Sequence, residues 1–143
     1  MFYGQHNFSV DSKGRISIPA RFRDQLKESE TKQLTVTRGL DGCLFAFTAG
    51  RWAELEEKLL SLPLSSKKAR FLARYVLGAA SVCTINEQGR INIPPSLLVE
   101  ASITKEVIII GVGDRIEIWS KELFERYEAE NIDYLADLEE IGI

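Results

Sequence analysis

The hydrophobic positions of the chain follow the period of a strand in some stretches and of a helix in others. In residues 11–19 the apolar side chains Ile16 and Ile18 alternate with polar ones, which is the pattern of a half-buried strand. Phe22 and Leu26 then recur at the i,i+4 spacing of a short amphipathic helix. The pattern therefore predicts a polar turn, a short strand and a helix start in close succession.

The same rules predict an ordered series of strands and helices along the rest of the chain. Strands are predicted at 3–10, 34–38, 43–47, 80–85, 90–93, 106–111 and 115–119. Thr48, Ser65 or Ser66, and Ser120 are suited to cap three further helices, because a hydroxyl oxygen accepts a free N–H of the first turn. A short helix is predicted at 95–100, and residues 27–33 are predicted to be a solvated connection.

One stretch of the chain occurs twice. Residues 11–19 read Asp-Ser-Lys-Gly-Arg-Ile-Ser-Ile-Pro, and 75 positions later residues 86–94 read Asn-Glu-Gln-Gly-Arg-Ile-Asn-Ile-Pro. The predicted hairpins at 39–47 and 111–119 also match, at an offset of 72. A single copy has few strands and leaves their edges open, so we expect the two copies to complete one structure.

The repeated loop resembles the AbrB/SpoVT family of swapped-hairpin DNA-binding domains, whose signature is Asp-x-x-Gly-Arg followed by a strand and Ile-Pro. The resemblance implies a mainly β protein with peripheral helices. It implies a double-split β-barrel made by interleaving two AbrB-like repeats, with a pseudo-two-fold axis inside one chain. The expected units are a first repeat at 1–48, a helical hairpin at 49–79, a second repeat at 80–120, and a C-terminal helix with an acidic tail at 121–143.

The resemblance also implies a function. A chain with two such repeats is expected to be a sequence-specific DNA-binding transcriptional regulator, acting as a repressor on direct repeats in a promoter. The implied target is the bacterial division and cell-wall gene cluster, including the protein's own gene. The implied partners are double-stranded DNA and further copies of the chain in a ring, with no cofactor, membrane or small-molecule substrate, in the cytoplasm at the nucleoid. The alternative is an antitoxin-like or other protein-binding module, since related barrels bind toxins through an extended tail.

The candidate DNA contacts concentrate in the first copy. An arginine fork can bind a phosphate or the O6/N7 edge of guanine bidentately, and a lysine is a phosphate-seeking point charge. Glycine lets the backbone approach a sugar-phosphate chain closely. The predicted DNA-contacting residues are Lys13, Gly14, Arg15, Arg21, Arg23 and Arg90.

Structural alternatives remain open for these residues. Asp11 is placed to pair with Arg15 across a tight turn, in which case the pair only stabilises the loop. Arg21 and Arg23 are equally compatible with a solvated helix face. In the second loop Gln88 replaces the lysine and the acidic Glu87 would repel phosphate. We therefore expect the first loop to be the principal contact and the second to contribute less or to support the barrel.

Charge is distributed unevenly along the chain. The formal net charge is −3, but residues 1–85 carry 13 Lys/Arg against 8 Asp/Glu, while residues 86–143 carry 5 against 13. Such asymmetry is a hint of a side that faces a polyanion and of an acidic appendage. A basic stripe at Lys67, Arg70 and Arg74 is either a solvated helix face or an ion-pair seam to a neighbouring subunit. Four aromatic residues are expected in the core or at a subunit interface rather than as base-stacking platforms, namely Trp52, Trp119, Phe71 and Tyr75.

The sequence gives no support for an enzyme, a metal-binding protein or a membrane protein. The chain has one histidine, no Gly-x-Ser-x-Gly, no phosphate loop ending in Gly-Lys-Ser/Thr and no Cys/His ligand spacing. Cys43 and Cys83 lie in separate apolar runs and are expected to be reduced core residues. No apolar run approaches the length of about 18 residues that a membrane span needs.

Overall fold

The two repeats are built from equivalent elements in the same order. The computed structural model describes residues 1–27 and 32–143, with the backbone alone described at Lys27. The first repeat contains β1 Phe2–Ser9, β2 Arg15–Ser17, α1 Ala20–Lys27, β3 Gln33–Arg38 and β4 Leu44–Phe47, followed by α2 Ala49–Leu60 and α3 Lys67–Val76. The second contains β5 Ser81–Thr84, β6 Arg90–Asn92, α4 Pro95–Glu100, β7 Glu106–Gly113 and β8 Ile116–Ser120, followed by α5 Lys121–Asn131 and a 3₁₀ helix, Ile132–Leu138.

The strands of the two repeats interleave. One sheet has the order β1-β7-β8-β4-β3-β5, and β2 pairs with β6 in a separate two-stranded ribbon. All neighbouring strands are antiparallel. If each strand is replaced by its equivalent in the other repeat, the same strand order results, read from the opposite edge of the sheet. The predicted mainly β fold with peripheral helices is therefore confirmed, and the strand order is symmetric between the two repeats.

The predicted double-split barrel is not confirmed in its detail. Within residues 1–27 and 32–143 the six-stranded sheet ends at the edge strands β1 and β5, and the β2–β6 ribbon is a second sheet. The two sheets are not hydrogen-bonded into a closed barrel. They nevertheless share one hydrophobic core, because Ile16 and Ile91 from the ribbon pack in the same cluster as Val36 and Ile109 from the large sheet.

The hydrophobic periods of the sequence correspond to buried faces. Ile16, Ile18, Phe22 and Leu26 are all at most 2% exposed, as the alternating and i,i+4 patterns predict. Thr48, Ser66 and Ser120 accept N–H groups of Arg51, Ala69 and Leu123 and so cap α2, α3 and α5. Of the two predicted cap residues for α3, the cap is therefore Ser66.

The apolar face predicted for α3 is only partly covered. Ala69 is buried, whereas Phe71 is 63% exposed and Leu72 is 38% exposed. Trp119, by contrast, is buried in a small cluster with Phe124. Of the residues expected in the core or at a subunit interface, Trp119 lies in the core, whereas Phe71 is exposed in a single chain and its place at a subunit interface stays a prediction.

Smaller differences concern the ends of the elements, whereas the cysteines are as predicted. β7 extends to Gly113 because its last residues, Val112 and Gly113, pair with Tyr3 and Phe2 of β1. Residues 28–31 of the predicted polar connection lie outside the described residues, and Gln33 already belongs to β3. Cys43 and Cys83 are buried free thiols, as predicted.

Candidate nucleic-acid interface

The first repeated loop is closed by its own aspartate. Asp11 Oδ1 accepts the backbone N–H groups of Lys13 and Arg15, both at 2.9 Å. Oδ2 accepts Nε of Arg15 at 2.6 Å. Gly14 completes the turn with a φ of 76°, in the left-handed region that residues with a Cβ occupy only at a cost. The predicted pairing of Asp11 with Arg15 is therefore present.

The second loop has the same backbone shape with a neutral residue at the equivalent position. Asn86 Oδ1 accepts the N–H groups of Gln88 and Arg90, both at 3.0 Å. Gly89 has a φ of 79°, close to that of Gly14. An amide closes the turn as a carboxylate does, but it supplies no charge to neutralise the arginine that follows.

The interleaved fold joins the two loops through the β2–β6 ribbon. The Ile18 N–H donates to the Gly89 carbonyl at 2.8 Å, and the Ile93 N–H donates to the Gly14 carbonyl at 3.2 Å. Each loop glycine is thus hydrogen-bonded to the strand end of the other repeat. The loops cannot form in this arrangement unless both repeats are present.

The ribbon presents polar side chains on one face. Its two central isoleucines are fully buried. Because side chains of a strand alternate between faces, the flanking residues point to the opposite side. Arg15 lies opposite Asn92, and Ser17 lies opposite Arg90. Asn92 is exposed, while Arg15, Ser17 and Arg90 are half-buried.

Asp11 contacts the arginines of both loops. In addition to its bond to Arg15, Asp11 Oδ2 lies 3.7 Å from Nη1 of Arg90. The pKa of Asp11 is lowered from 3.8 to about 2, chiefly by the hydrogen bond from the Arg15 backbone N–H, with the Arg15 side chain and the Lys13 N–H adding to it. The carboxylate is therefore ionised at neutral pH and holds two guanidinium groups on the outer side of the ribbon.

Not all predicted site residues belong to this cluster. Lys13 is exposed on the first loop, and Arg21 is exposed on α1. Arg23 is half-buried, and its Nε donates to the Ile18 carbonyl at 3.0 Å. A Cβ at Gly89 would lie 2.7 Å from Cζ of Arg23, so this guanidinium packs directly on the second loop. Arg23 therefore packs against the loop of the other repeat, and its role as a DNA contact stays a prediction.

Two residues of this surface were missed by the sequence reasoning. Ser17 and Asn92 occupy the outward positions of the two ribbon strands, between the predicted loop arginines. The signal was available in the alternation itself, because the residues between inward isoleucines must face outward. What the sequence did not reveal is that the two strands pair with each other and bring these positions together.

The two loops and the outer face of the ribbon carry a small excess of positive charge. Lys13, Arg15 and Arg90 carry three positive charges against the two negative charges of Asp11 and Glu87. A guanidinium has five N–H donors, so an arginine that bonds a carboxylate through Nε keeps donors on its Nη atoms. Arginine and asparagine are also the side chains that bind guanine and adenine edges bidentately.

Other chemistry is not evident in the described part of the chain. Among residues 1–27 and 32–143, no group of three or more His, Cys, Asp or Glu side chains is arranged to hold a metal ion. Of the helices in these residues, none has the length and apolar character needed to cross a membrane.

The fold and the paired Gly-Arg loops define a tandem-repeat protein whose two halves interleave their strands. The family profile described as "MraZ protein, putative antitoxin-like" matches the chain twice, at residues 1–75 and 76–140. The chain belongs to the MraZ family.

Curated relatives named transcriptional regulator MraZ cover nearly the whole chain. The protein of Ligilactobacillus salivarius is 46% identical over 140 residues, which cover 96% of this chain and 95% of the relative. That of Limosilactobacillus reuteri (strain DSM 20016) is 45% identical over 140 residues, which cover 98% of this chain and 96% of the relative. That of Alkaliphilus oremlandii is 47% identical over 135 residues, which cover 94% of this chain and 92% of the relative. All three relatives are named as transcriptional regulators, which are not an enzyme class.

Proposed function

We propose that the chain is a sequence-specific DNA-binding transcriptional regulator that contacts DNA with the outer face of the β2–β6 ribbon and its two loops. The observation that carries the proposal is that Arg15 and Arg90, from different repeats, are both held on this face by Asp11. Pre-positioning of arginine forks reduces the side-chain entropy lost on binding.

The ribbon has the form that direct readout of DNA requires. The major groove of B-DNA admits a two-stranded β-ribbon. On the outer face, Arg15 offers a fork for a guanine edge, and Asn92 offers an amide for an adenine edge. Lys13 contacts a phosphate, and Gly14 allows close approach of the backbone. Arg21 on α1 adds positive charge beside the first loop, and Arg23 holds the second loop in place.

The first loop makes the stronger contact. Lys13 is exposed beside Arg15, whereas the equivalent exposed residue of the second loop is the neutral Gln88, which follows the exposed acidic Glu87. Glu87 repels a phosphate backbone, so Arg90 contributes less than Arg15. Because the two loops differ, each protomer binds DNA in one preferred orientation, which suits DNA sites arranged as direct repeats.

Several chains act together in this proposal. The chain carries a net charge of −3, so the affinity of one protomer is small and several loops must bind along one duplex. A homo-oligomeric ring presents these loops to the DNA. In each chain the repeats at 1–48 and 80–120 form the double-split barrel, the helical hairpin at 49–79 connects them, and the C-terminal helix and acidic tail at 121–143 follow. The targets are direct repeats in the promoter of the division and cell-wall genes, where the protein represses transcription in the cytoplasm, at the nucleoid.

A second candidate function is binding of another protein. It is favoured by the exposed apolar side chains beyond α5, since Ile132, Leu135 and Leu138 are 55%, 57% and 39% exposed in a segment that is otherwise acidic. A segment of this kind suits a basic, toxin-like partner encoded nearby. Saturable binding of residues 132–143 to such a partner, without DNA binding by the chain, would favour this function.

The experiment that tests the proposed function is an electrophoretic shift assay on the DNA upstream of the protein's own gene, at several salt concentrations. Unrelated DNA of equal length is the control. We expect a specific complex and a linear fall of log K with log salt, because phosphate contacts release counterions. Equal binding of both DNAs, or no specific complex at low salt, would overturn the proposal.

A further inference from the structure

Each repeated loop lies against a helix of the other repeat. A Cβ built on Gly14 of the first loop would lie 3.5 Å from Cδ1 of Leu98, which belongs to α4 of the second repeat. A Cβ built on Gly89 of the second loop would lie 2.7 Å from Cζ and 2.8 Å from Nε of Arg23, which belongs to α1 of the first repeat. The two loops are therefore supported crosswise, each by a side chain from outside its own repeat.

The two supporting residues occupy equivalent positions. Arg23 and Leu98 are 75 residues apart, the same offset as between the two repeated loops. The residues that precede them, Phe22 and Leu97, are 0% and 3% exposed and anchor α1 and α4 in the common core. Successive side chains of a helix point about 100° apart. An anchor in the core therefore leaves the next side chain at the edge of the core, where the loop of the other repeat lies.

Leu98 supports the first loop by apolar contact. Its side chain is half-buried and packs against the main hydrophobic core. Its helix is held in place at Glu100, whose Oε1 lies 3.2 Å from Nε of Arg38 in an ion pair. The guanidinium of Arg38 in turn lies 5.1 Å from the centre of the Tyr75 ring on α3. Leu98 is thus a fixed and neutral support beneath the turn that carries Arg15.

Arg23 supports the second loop by a hydrogen bond as well as by direct contact. Its Nε donates to the Ile18 carbonyl at 3.0 Å, and the Ile18 N–H donates to the Gly89 carbonyl at 2.8 Å. The backbone of one residue thus connects the guanidinium to the turn glycine. Residues 86–90 carry one acidic and one basic side chain, whereas residues 11–15 carry one acidic and two basic ones. The charged support therefore lies beneath the loop that has no net charge of its own.

We infer that Leu98 and Arg23 are positioning residues for DNA binding, Leu98 for the arginine of the first loop and Arg23 for the arginine of the second. Neither side chain has to touch the DNA, because a binding group acts at full strength only when packed neighbours hold it in the productive geometry. The inference rests on the proposed DNA-binding function and assigns residues outside the loops that determine how much each loop contributes. The alternative role of Arg23 is a phosphate contact of its own, and the two roles predict different results.

Hydrogen exchange of the free chain tests the positioning without DNA. In each loop the N–H of the turn glycine donates to a backbone carbonyl of the same loop, so opening of the turn exposes this amide to exchange. Leu98→Ala should speed exchange in residues 11–15, and Arg23→Leu in residues 86–90, each by about fourfold, the factor for one lost methylene contact or hydrogen bond. Mass spectrometry of peptides that cover the two loops measures both rates. Equal acceleration in both loops, or none in either, would overturn the inference.

A double-mutant cycle on the upstream DNA tests whether the supports act through the loop arginines. Arg23→Leu should weaken binding of the intact chain by about three- to tenfold, but by less than about twofold in an Arg90→Ala background, where there is no arginine left to position. Leu98→Ala should show the same dependence on Arg15. In the crossed combinations, such as Leu98→Ala with Arg90→Ala, the loss should persist within about twofold, because the supported arginine is still present.

Three control variants separate positioning from direct contact and from loss of stability. Arg23→Lys keeps the charge but has no guanidinium Nε, so it should weaken binding as Arg23→Leu does if the residue positions the loop, and should bind normally if the residue contacts a phosphate. Arg21→Leu removes a charge from an exposed position of the same helix, and its effect should persist in the Arg90→Ala background. Val99→Ala, at a 78% exposed residue next to Leu98, should leave binding unchanged.

Each variant must keep the melting profile of the unmodified chain. If Leu98→Ala does not fold, Leu98→Val takes its place, because it shortens the side chain by less. A loss that is equal with and without the supported arginine, or normal binding by Arg23→Lys, would overturn the inference and leave the DNA-binding proposal standing. Absence of a specific complex with the unmodified chain would overturn the proposed function, and hydrogen exchange would then decide the positioning of the loops alone.

Discussion

Asp11 in the first repeat and Arg90 in the second form an ion pair across the ribbon, with 3.7 Å between Oδ2 and Nη1. The same oxygen bonds Nε of Arg15 at 2.6 Å. One carboxylate thus restrains both arginines proposed to contact DNA, and the equivalent position of the second loop, Asn86, provides no such charge. The relationship makes Asp11 the residue through which the two loops are coupled.

Replacing Asp11 by Asn should release both arginines without unfolding the loop. Asn86 shows that an amide closes the same turn with the same backbone hydrogen bonds. We expect tighter binding to unrelated DNA and a salt slope that steepens by roughly 0.9 for each additional phosphate contact, together with poorer discrimination of the upstream DNA. The measurement is the salt dependence of binding to both DNAs.

Asn86→Asp is the reverse change and serves as the control. It places a carboxylate beside Arg90 and should weaken binding to unrelated DNA. If Asp11→Asn binds both DNAs as the unmodified chain does, the carboxylate does not restrain the arginines in solution.

Gly89→Ala should lower the free energy of unfolding more than Gly14→Ala. Both residues have positive φ, at 79° and 76°, so each alanine carries a backbone strain of about 1–2 kcal/mol. At Gly89 the new Cβ would also lie 2.7 Å from the Arg23 guanidinium, whereas at Gly14 the nearest neighbouring atom, Cδ1 of Leu98, is 3.5 Å away. Overpacking lowers the free energy of unfolding by about a further 1–3 kcal/mol, and any movement of the Arg23 side chain reduces this loss. Urea unfolding measures the difference.

Gly50→Ala is the matched control for these glycine variants. Gly50 lies in α2, and a Cβ there would meet nothing within 4 Å. The substitution should stabilise the chain by up to about 1 kcal/mol, because alanine favours the helix. Equal destabilisation by Gly14→Ala and Gly89→Ala would show that Arg23 does not pack on the second loop.

Neither residues 1–60 nor residues 75–143 should fold as a monomer. β1 pairs with β7, and β5 pairs with β3, so separation removes the partner of each edge strand. The ribbon is also divided, because β2 and β6 belong to different fragments. Mixing the two fragments should restore the cooperative unfolding of the intact chain, measured by circular dichroism. Cooperative unfolding of one isolated monomeric fragment would contradict the interleaved core.

Cys43 should be unreactive toward thiol reagents in the folded chain. Burial raises its pKa to about 12, with the Glu117 and Asp41 carboxylates adding to the shift. Only the thiolate is nucleophilic, so between pH 7 and pH 9 the reactive fraction stays very small. Burial raises the pKa of Cys83 as well. Labelling with a chromogenic disulfide should require unfolding, and fast labelling of the native chain would contradict the burial of both thiols.

The internal repeat predicted much of the fold because its hydrophobic period is local information. Ile16 and Ile91 face inward because alternation in a strand determines which side chains share a face. The position of Arg23 was not predictable in this way. Its guanidinium packs on Gly89, a contact that exists only after α1 has been placed against the other repeat.

The exposed face of α3 has a different cause. Phe71 has the spacing of a core residue and is nonetheless 63% exposed, because no element of the described chain covers it. A hydrophobic pattern indicates that a face is to be buried, but it does not indicate whether the covering element belongs to the same copy. That distinction requires the structure.

The proposed interface is tested most directly by competition binding of Arg15→Ala, Arg90→Ala and Lys13→Ala to the upstream DNA and to unrelated DNA. Each variant must keep the oligomer and melting temperature of the unmodified chain. Arg15→Ala should lose about 1–3 kcal/mol per engaged subunit on the upstream DNA, and more than Arg90→Ala. Lys13→Ala should weaken binding to both DNAs alike and reduce the salt slope by about 1. A folded Arg15→Ala that binds the upstream DNA as tightly as the unmodified chain would contradict the assignment of this ribbon as the DNA-reading surface.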